Sequence, residues 1–397
     1  MEKTKNKPDR VYYLDWLRVL TVFLFLFFHT ARIFDSVAPF YIKSKNLCSF
    51  CDTLIFFLDQ WQLPFLFFIA GAAACFSLRY RTEKEYIIER FKRLIVPFIF
   101  GVLIIVPPQL YFVLKSIPEY QESYLEFYSY YFFNINREYP LGGSYSGSFE
   151  LAHLWFLAIL FIFSFITLPF FIYFKQRREI LSKITDFCNS SAGIFLLAVP
   201  LAVIEVIARA LKGWSFFQNP FLYIAIFIYG FFLFSDERFK ETIEKYGKTS
   251  LILAVVFSLI LFKIGWKEIG FLATKQRYSF DFIVKKYIFE SLRGINIWFW
   301  TLAVLYLGKR FMSFNNKVLQ YFNGTVLPFF ILHQTVIVGV GFYVIKWNIS
   351  ALAKFFFIDI FSLILIFLIY EVFIKRIGIM RFLFGMRLRE RKALDKE

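Results

Sequence analysis

The chain has 397 residues, 59% of them hydrophobic and 59 of them phenylalanine, with a mean hydropathy of +0.59 and a formal charge of +17. A water-soluble fold of this length does not hide so much apolar surface, and repeated apolar runs near twenty residues match a bilayer's hydrocarbon core. The basic residues cluster between those runs, where they orient spans rather than bind a nucleic acid, so the chain reads as an all-α, polytopic membrane protein with no nucleic-acid partner.

Ten candidate spans follow in chain order, at about 12–34, 53–78, 94–114, 151–174, 192–211, 219–234, 249–265, 288–308, 326–346 and 353–374. The first run is too long for a secretory leader and lacks a small-residue cleavage site, so it reads as a retained span. Basic segments at 1–10, 79–93, 175–179, 235–248, 308–317 and 375–397 fall on one side of a ten-span arrangement. The positive-inside rule makes that side the cytoplasm, with both termini inside. Lys267, Lys275, Arg277, Lys285 and Lys286, between spans seven and eight, run against the rule.

The longest outer connection, 115–150, is tyrosine-rich and acidic, with Glu119, Glu122, Glu126, Glu138 and Glu150 and the turn-rich stretch PLGGSYSGS. Its tyrosines suit stacking on sugar rings and the headgroup layer equally well. No internal repeat or separate soluble domain stands out, so residues 1–397 read as one integral membrane domain with a basic cytoplasmic tail over 375–397. The four cysteines and three widely separated histidines have no metal-ligand spacing, and no metal is expected.

The first span, DWLRVLTVFLFLFFHTAR, carries Arg18 and His29. Ionisable side chains inside a bilayer are costly, and by default they mark function. Eleven helical residues turn through about 1,100° and rise about 16 Å, which puts both on one face. Asp15 stands three residues before Arg18, in position to pair with it. The plainer readings are an arginine snorkelling to headgroups and a histidine bonding a neighbouring helix; geometry alone leaves the two accounts level.

Elsewhere, Glu150 and His153 share a helical face if the fourth span begins early enough, and beside Trp155 they read equally as a sugar-binding group or as a plain anchor at the membrane interface. His333 sits in the ninth span next to Gln334. Glu205 and Arg209 have the i,i+4 spacing of a structural pair, and Glu290, Arg293 and Asn296 share a face at the start of the eighth span. Phenylalanine at this density reads mostly as lipid-facing bulk.

The Arg18-x10-His29 spacing within LDWLRVLTVFLFLFFHTARIF resembles the first-span motif of the acyltransferase 3 family of integral membrane acyltransferases. Four further stretches resemble it in the same order: FLFFIAGAAACFSLRYR (65–81), ERFKRLIVPFIFGVLIIVPPQ (89–109), AHLWFLAILFIFSF (152–165) and VLPFFILHQTVIV (326–338). The branch most resembled is that of glucan-biosynthesis and surface-polysaccharide acyltransferases. The resemblance implies a bacterial inner-membrane enzyme that moves an acyl group, usually acetyl, from cytoplasmic acyl-CoA to a hydroxyl of an extracytoplasmic carbohydrate. It implies essential roles for His29 and Arg18, and it has basic residues where Arg90, Lys92 and Arg93 stand.

The chemistry fits those residues. Acyl transfer to an alcohol needs a base for the hydroxyl proton and stabilisation of the oxyanion. Burial among apolar helices disfavours an imidazolium and keeps His29 available as that base; an acyl-histidine intermediate is the other route. Arg18 positions the donor or stabilises charge. Arg90 and Arg93, i and i+3 before the third span, grip CoA phosphates with forked donors or anchor the inner rim to anionic lipids. His333 lines the donor path or bonds another helix. Arg32, one turn from His29, is a weak candidate for a second donor carboxylate. Two rivals stand beside this reading. A transporter or flippase for a glycan or lipid-linked sugar predicts paired broken helices in two halves. A non-catalytic scaffold predicts that loss of His29 is tolerated.

Overall fold

The computed structural model describes residues 10–132, 150–190, 193–210, 219–265 and 280–386, apart from the side chains of Arg209, Phe280 and Phe282. Among the described residues the secondary structure is entirely helical. The described parts of the ten expected segments are largely helical, but the segments differ in what they can span. Six are long and apolar enough to cross a membrane: Tyr12–Phe34, Ser49–Tyr80, Glu83–Leu114, Phe239–Ile264, Lys317–Val344 and Ala351–Ile374. Two bent pairs, Ala152–Ile166 with Leu168–Gln176 and Arg178–Asn189 with Gly193–Ala208, raise the number to eight if each is one span. The remaining two expected spans fall short for different reasons. Pro220–Leu233 has only 14 residues, about 21 Å of helix. Phe280–Phe311 has 32 residues but carries Glu290, Arg293 and Asn296 within its apolar part. That helix also takes in Lys285 and Lys286, which the sequence left in a loop, whereas Lys267, Lys275 and Arg277 lie outside the described residues, as do PLGGSYSGS and the tail beyond 386.

The chain folds into two compact units, each drawn from three separate stretches of sequence. The first comprises residues up to Thr21, Asp52–Ile87 and Ile162–Leu319. Its helices Gln62–Tyr80 and Pro220–Leu233 approach backbone to backbone. A Cβ on Gly71 would collide with the Phe227 carbonyl, and one on Gly230 with that of Phe68. Small residues at such crossings let membrane helices reach van der Waals contact where no hydrophobic effect drives them together. Stacked rings flank the crossing, with Phe67 4.7 Å from Tyr223 and Phe171 3.7 Å from Phe231. Phe65, Phe67, Phe68, Phe171 and Phe227 are fully buried, so a large share of the phenylalanine is core rather than lipid-facing bulk. Gly230→Val is therefore expected to force the helices apart and lower the melting temperature in detergent. Val at Gly378, where an added Cβ would meet no atom within 4 Å, leaves it unchanged.

The same unit holds a buried polar cluster. Arg293 reaches Glu205 at 3.2 Å and Asp59 at 3.4 Å, and Asn296 donates to Gln60 and Ser258. Glu205 thus meets Arg293, from another helix, whereas the expected partner Arg209 has no described side chain.

The second unit comprises Val22–Cys51, Ile88–Phe161 and Gln320 onward. The two units share the Tyr12–Phe34 helix. The Glu83–Leu114 span is not a plain α-helix, since π-helical turns occupy Phe91–Ile95 and Gly101–Ile105. Pro97 and Pro107 sit at the starts of the α-helical pieces that follow, where a missing N–H costs least. Phe23, Phe322, Phe329 and Phe367 interlock nearby, with Phe23 and Phe329 4.4 Å apart.

Candidate active site

All three histidines of the chain meet in the second unit. The His29 and His333 rings lie 5.1 Å apart, and those of His153 and His333 4.8 Å apart. The Tyr12–Phe34 helix brings the first. A short 3-10 turn, Ala152–Leu154, brings the second, and the Lys317–Val344 helix brings the third. Phe25, Phe28 and Phe40 surround His29, with Phe40 nearly parallel to its ring at 5.9 Å and 22°.

The hydrogen bonds fix two tautomers. His333 Nδ1 donates to the Phe330 carbonyl at 2.6 Å, and His153 Nε2 donates to the Ile331 carbonyl at 3.1 Å. A carbonyl can only accept, so these nitrogens carry the hydrogens, and His333 Nε2 and His153 Nδ1 are left as lone-pair acceptors. Both of those are enclosed and without a hydrogen-bond partner among the described residues, as is His29 Nδ1. His333 and His153 are buried, whereas His29 stays partly accessible. His29 is therefore the histidine a substrate can reach, through Nε2. Three neighbouring imidazoles with unused nitrogens, one of them on a partly accessible ring, make a site that can accept a proton.

A family model for the acyltransferase domain known as acyltransferase 3 matches residues 11–371. The chain belongs to the acyltransferase 3 family. It is similar to glucans biosynthesis protein C of Salmonella heidelberg, 25% identical over 394 residues, covering 95% of this chain and 94% of that protein. The protein of the same name in Salmonella typhi is 25% identical over 393 residues, with the same coverage. No solved structure matches the chain. The protein is thus a multi-pass membrane acyltransferase.

The other expected residues are distributed more widely. Arg18 lies on the same helix as His29, three turns earlier, in the first unit, and pairs with Asp15 at 3.2 Å as its spacing predicted; Asp15 also takes Arg10. Arg90 is half-buried, and Lys92 and Arg93 are exposed. Arg90 closes the Glu83–Arg90 helix and the other two ride on the π-helical turn after it. The wider turn brings Arg93 over Glu89, one turn back, at 3.8 Å.

Glu150 and His153 do not form the expected pair. Ala152 takes a positive φ of 46° and a 3-10 turn precedes the α-helix, which begins at Trp155, so the helical register that would align them is broken. Glu150 accepts from the Tyr41 hydroxyl at 2.8 Å and its backbone N–H donates to Tyr131, while His153 turns to Ile331 and His333. Burial pushes the Glu150 carboxyl above its ordinary range, against the pull of the Tyr41 bond, and lifts the Tyr131 phenol to about 12. Trp155 is half-buried.

Several tyrosines of the 115–150 connection serve its own acids, since the hydroxyls of Tyr120 and Tyr130 both reach Glu122. Arg32 is buried and bonded to Asp35 and to the carbonyls of Ala38 and Pro39, which makes it part of the loop's frame rather than a ligand for a donor carboxylate. Among the described residues no group of three or more His, Cys, Asp or Glu could hold a metal ion.

Sequence reasoning treated the three histidines separately and missed their convergence. The available signal was their scarcity: three in 397 residues, each within or at the edge of an apolar run.

Proposed function

We propose that the protein is a bacterial inner-membrane O-acyltransferase that moves acetyl, or another short acyl group, from cytoplasmic acyl-CoA to a hydroxyl of an extracytoplasmic carbohydrate. The observation that carries the reading is the accessible His29 at the head of a buried histidine cluster, in a chain of this family. The glucan-biosynthesis names of its relatives support a carbohydrate acceptor.

In this reading both termini are cytoplasmic and His29 lies toward the outer face. Arg90, Lys92 and Arg93 hold the CoA phosphates at the inner rim, through charge-assisted bonds. The pantetheine arm extends past Arg18, which positions it, and presents the thioester near His29. His29 Nε2 takes the proton of the acceptor hydroxyl as its oxygen attacks the thioester carbonyl. The tetrahedral oxyanion collapses, the C–S bond breaks, and the CoA thiolate receives the proton back from His29. While His29 is charged, the His333 ring 5.1 Å away offers the unused lone pair of its Nε2 to stabilise that charge. Glu150, His153 and Trp155 border the acceptor end of the site.

The test uses purified protein in sealed vesicles, with isotope-labelled acetyl-CoA on the cytoplasmic face and a mixed glycan pool on the other. Labelled glycan and free CoA in equal amounts are expected, and Arg90→Gln with Arg93→Gln should raise the KM for acetyl-CoA while leaving that for the glycan alone. Absence of CoA binding by the wild type would overturn the donor assignment.

A further inference from the structure

The third span is broken where its sequence reads VPPQ, residues 106–109. Pro107 and Pro108 have no N–H to give, and the N–H of Gln109 turns back to Val106 at 2.9 Å. The carbonyls of Leu103, Ile104 and Ile105 thereby lose the donors that an unbroken α-helix would supply. Two side chains from elsewhere in the second unit stand in. The Tyr128 hydroxyl donates to Leu103 at 3.0 Å, and the Thr335 hydroxyl donates to Ile105 at 2.7 Å. A prolyl break inside a membrane is tolerated when the freed carbonyls find partners of this kind.

The bond at Ile105 continues into the ninth-span helix, Lys317–Val344. Gln109 Nε2 donates to Thr335 Oγ1 at 2.6 Å, and Gln334 Nε2 donates to Gln109 Oε1 at 2.9 Å. Gln334, Gln109, Thr335 and the Ile105 carbonyl thus form one directed chain, in which each bond polarises the next. Both glutamines are buried. The chain crosses between the helices at residues 334 and 335, immediately after His333. We infer that Gln109 is a positioning residue: through this chain it holds the ninth-span helix to the broken third span, and so sets where His333 stands against His29. The inference rests on the acyltransfer reading above and deepens it.

His333 depends on such a hold. Its Nδ1 donates to Phe330, in its own helix, and its Nε2 has no hydrogen-bond partner among the described residues. The ring therefore goes where the helix goes. Pro328 takes a bond out of that helix shortly before His333, and a proline lets a helix kink. The His29 ring lies 5.1 Å from that of His333, and a misplacement of about 1 Å at a reacting group costs on the order of 10²-fold in rate. Apolar side chains would press the two helices together as well, but hydrogen bonds have a preferred direction and fix their register. The span that carries Gln109 also carries Arg90, Lys92 and Arg93. The same chain therefore ties the proposed donor grip to the histidine cluster.

The test compares kcat, melting temperature and the imidazole NMR signals of the full chain. Gln109→Leu orphans the Gln334 amide and should lower both kcat and the melting temperature. Adding Gln334→Leu removes both ends of that bond, a change that can be nearly neutral for stability, and Thr335 keeps its bond to Ile105. In this double variant the melting temperature should return toward the wild type, while kcat stays about tenfold or more below it and both KM values hold. The three histidines give three imidazole signals, and the one lost in His333→Phe is that of His333. It should shift in the double variant and stay in place in Arg293→Met, which loosens the other unit. Thr335→Val, which keeps the side chain's shape and deletes the hydroxyl between Gln109 and Ile105, is read in the same way if the double variant does not fold. A kcat that recovers with the melting temperature makes the chain a stabilising contact only and overturns the inference, with the acyltransfer reading intact. So does a His333 signal that is unmoved, or moved equally by Arg293→Met. If the wild type acylates no saccharide, the acyltransfer reading fails, and the His333 signal then decides the positioning by itself.

Discussion

His29→Ala is expected to lower acyl transfer by about 10²–10⁴-fold or more, the range that a positioned general base contributes. The variant should still be stabilised against heat by acetyl-CoA, because a ligand stabilises whatever native state it binds, and Arg90, Lys92 and Arg93, proposed to hold its phosphates, lie on another helix. His333→Phe separates ring from nitrogen. Phenylalanine keeps the aromatic contact with Phe329, which stacks on His333 at 6.1 Å, but it deletes the lone pair of Nε2. Transfer should fall by less than in His29→Ala, with the KM for both substrates held, since His333 is buried beyond their reach. A wild-type rate in His29→Ala would exclude the base assignment outright. A wild-type rate in His333→Phe would confine the chemistry to His29 alone.

Arg293→Met is expected to destabilise the first unit by about 3–5 kcal/mol, the cost of removing one partner from a buried ion pair. The side chains of Arg293 and Glu205 are each 3% exposed, so the carboxylate left behind has no water to turn to. Replacing all three, as Arg293→Met with Glu205→Leu and Asp59→Asn, should recover most of the loss, because apolar packing often equals a buried ion pair in stability. Thermal unfolding in detergent measures both. A single variant that melts with the wild type would show that the cluster does not hold the helices together.

The helical segments were legible because twenty-residue apolar runs leave the chain little alternative in a bilayer. The first span was read to its ends, Tyr12–Phe34, and the Asp15–Arg18 pair followed from local spacing. Tertiary partners were not legible. Glu205 had Arg209 at i+4, yet it meets Arg293, because nothing in a local interval reports what another helix presents. The Glu150–His153 face depended on an unbroken helix, and one residue at positive φ, Ala152, removed it. The histidine cluster failed to appear for the same reason. Its members come from 29, 153 and 333, and only the packing of the second unit puts them side by side.

The bonds that fold the loop after the first helix bear on how its sequence can vary. Arg32, Asp35 and Lys43 tie that loop together, while Lys45 is exposed. Exchange at Lys45 leaves those bonds intact. The loop's exposed edge can then drift one substitution at a time through stable intermediates, while the segment that packs Phe40 against His29 keeps its shape.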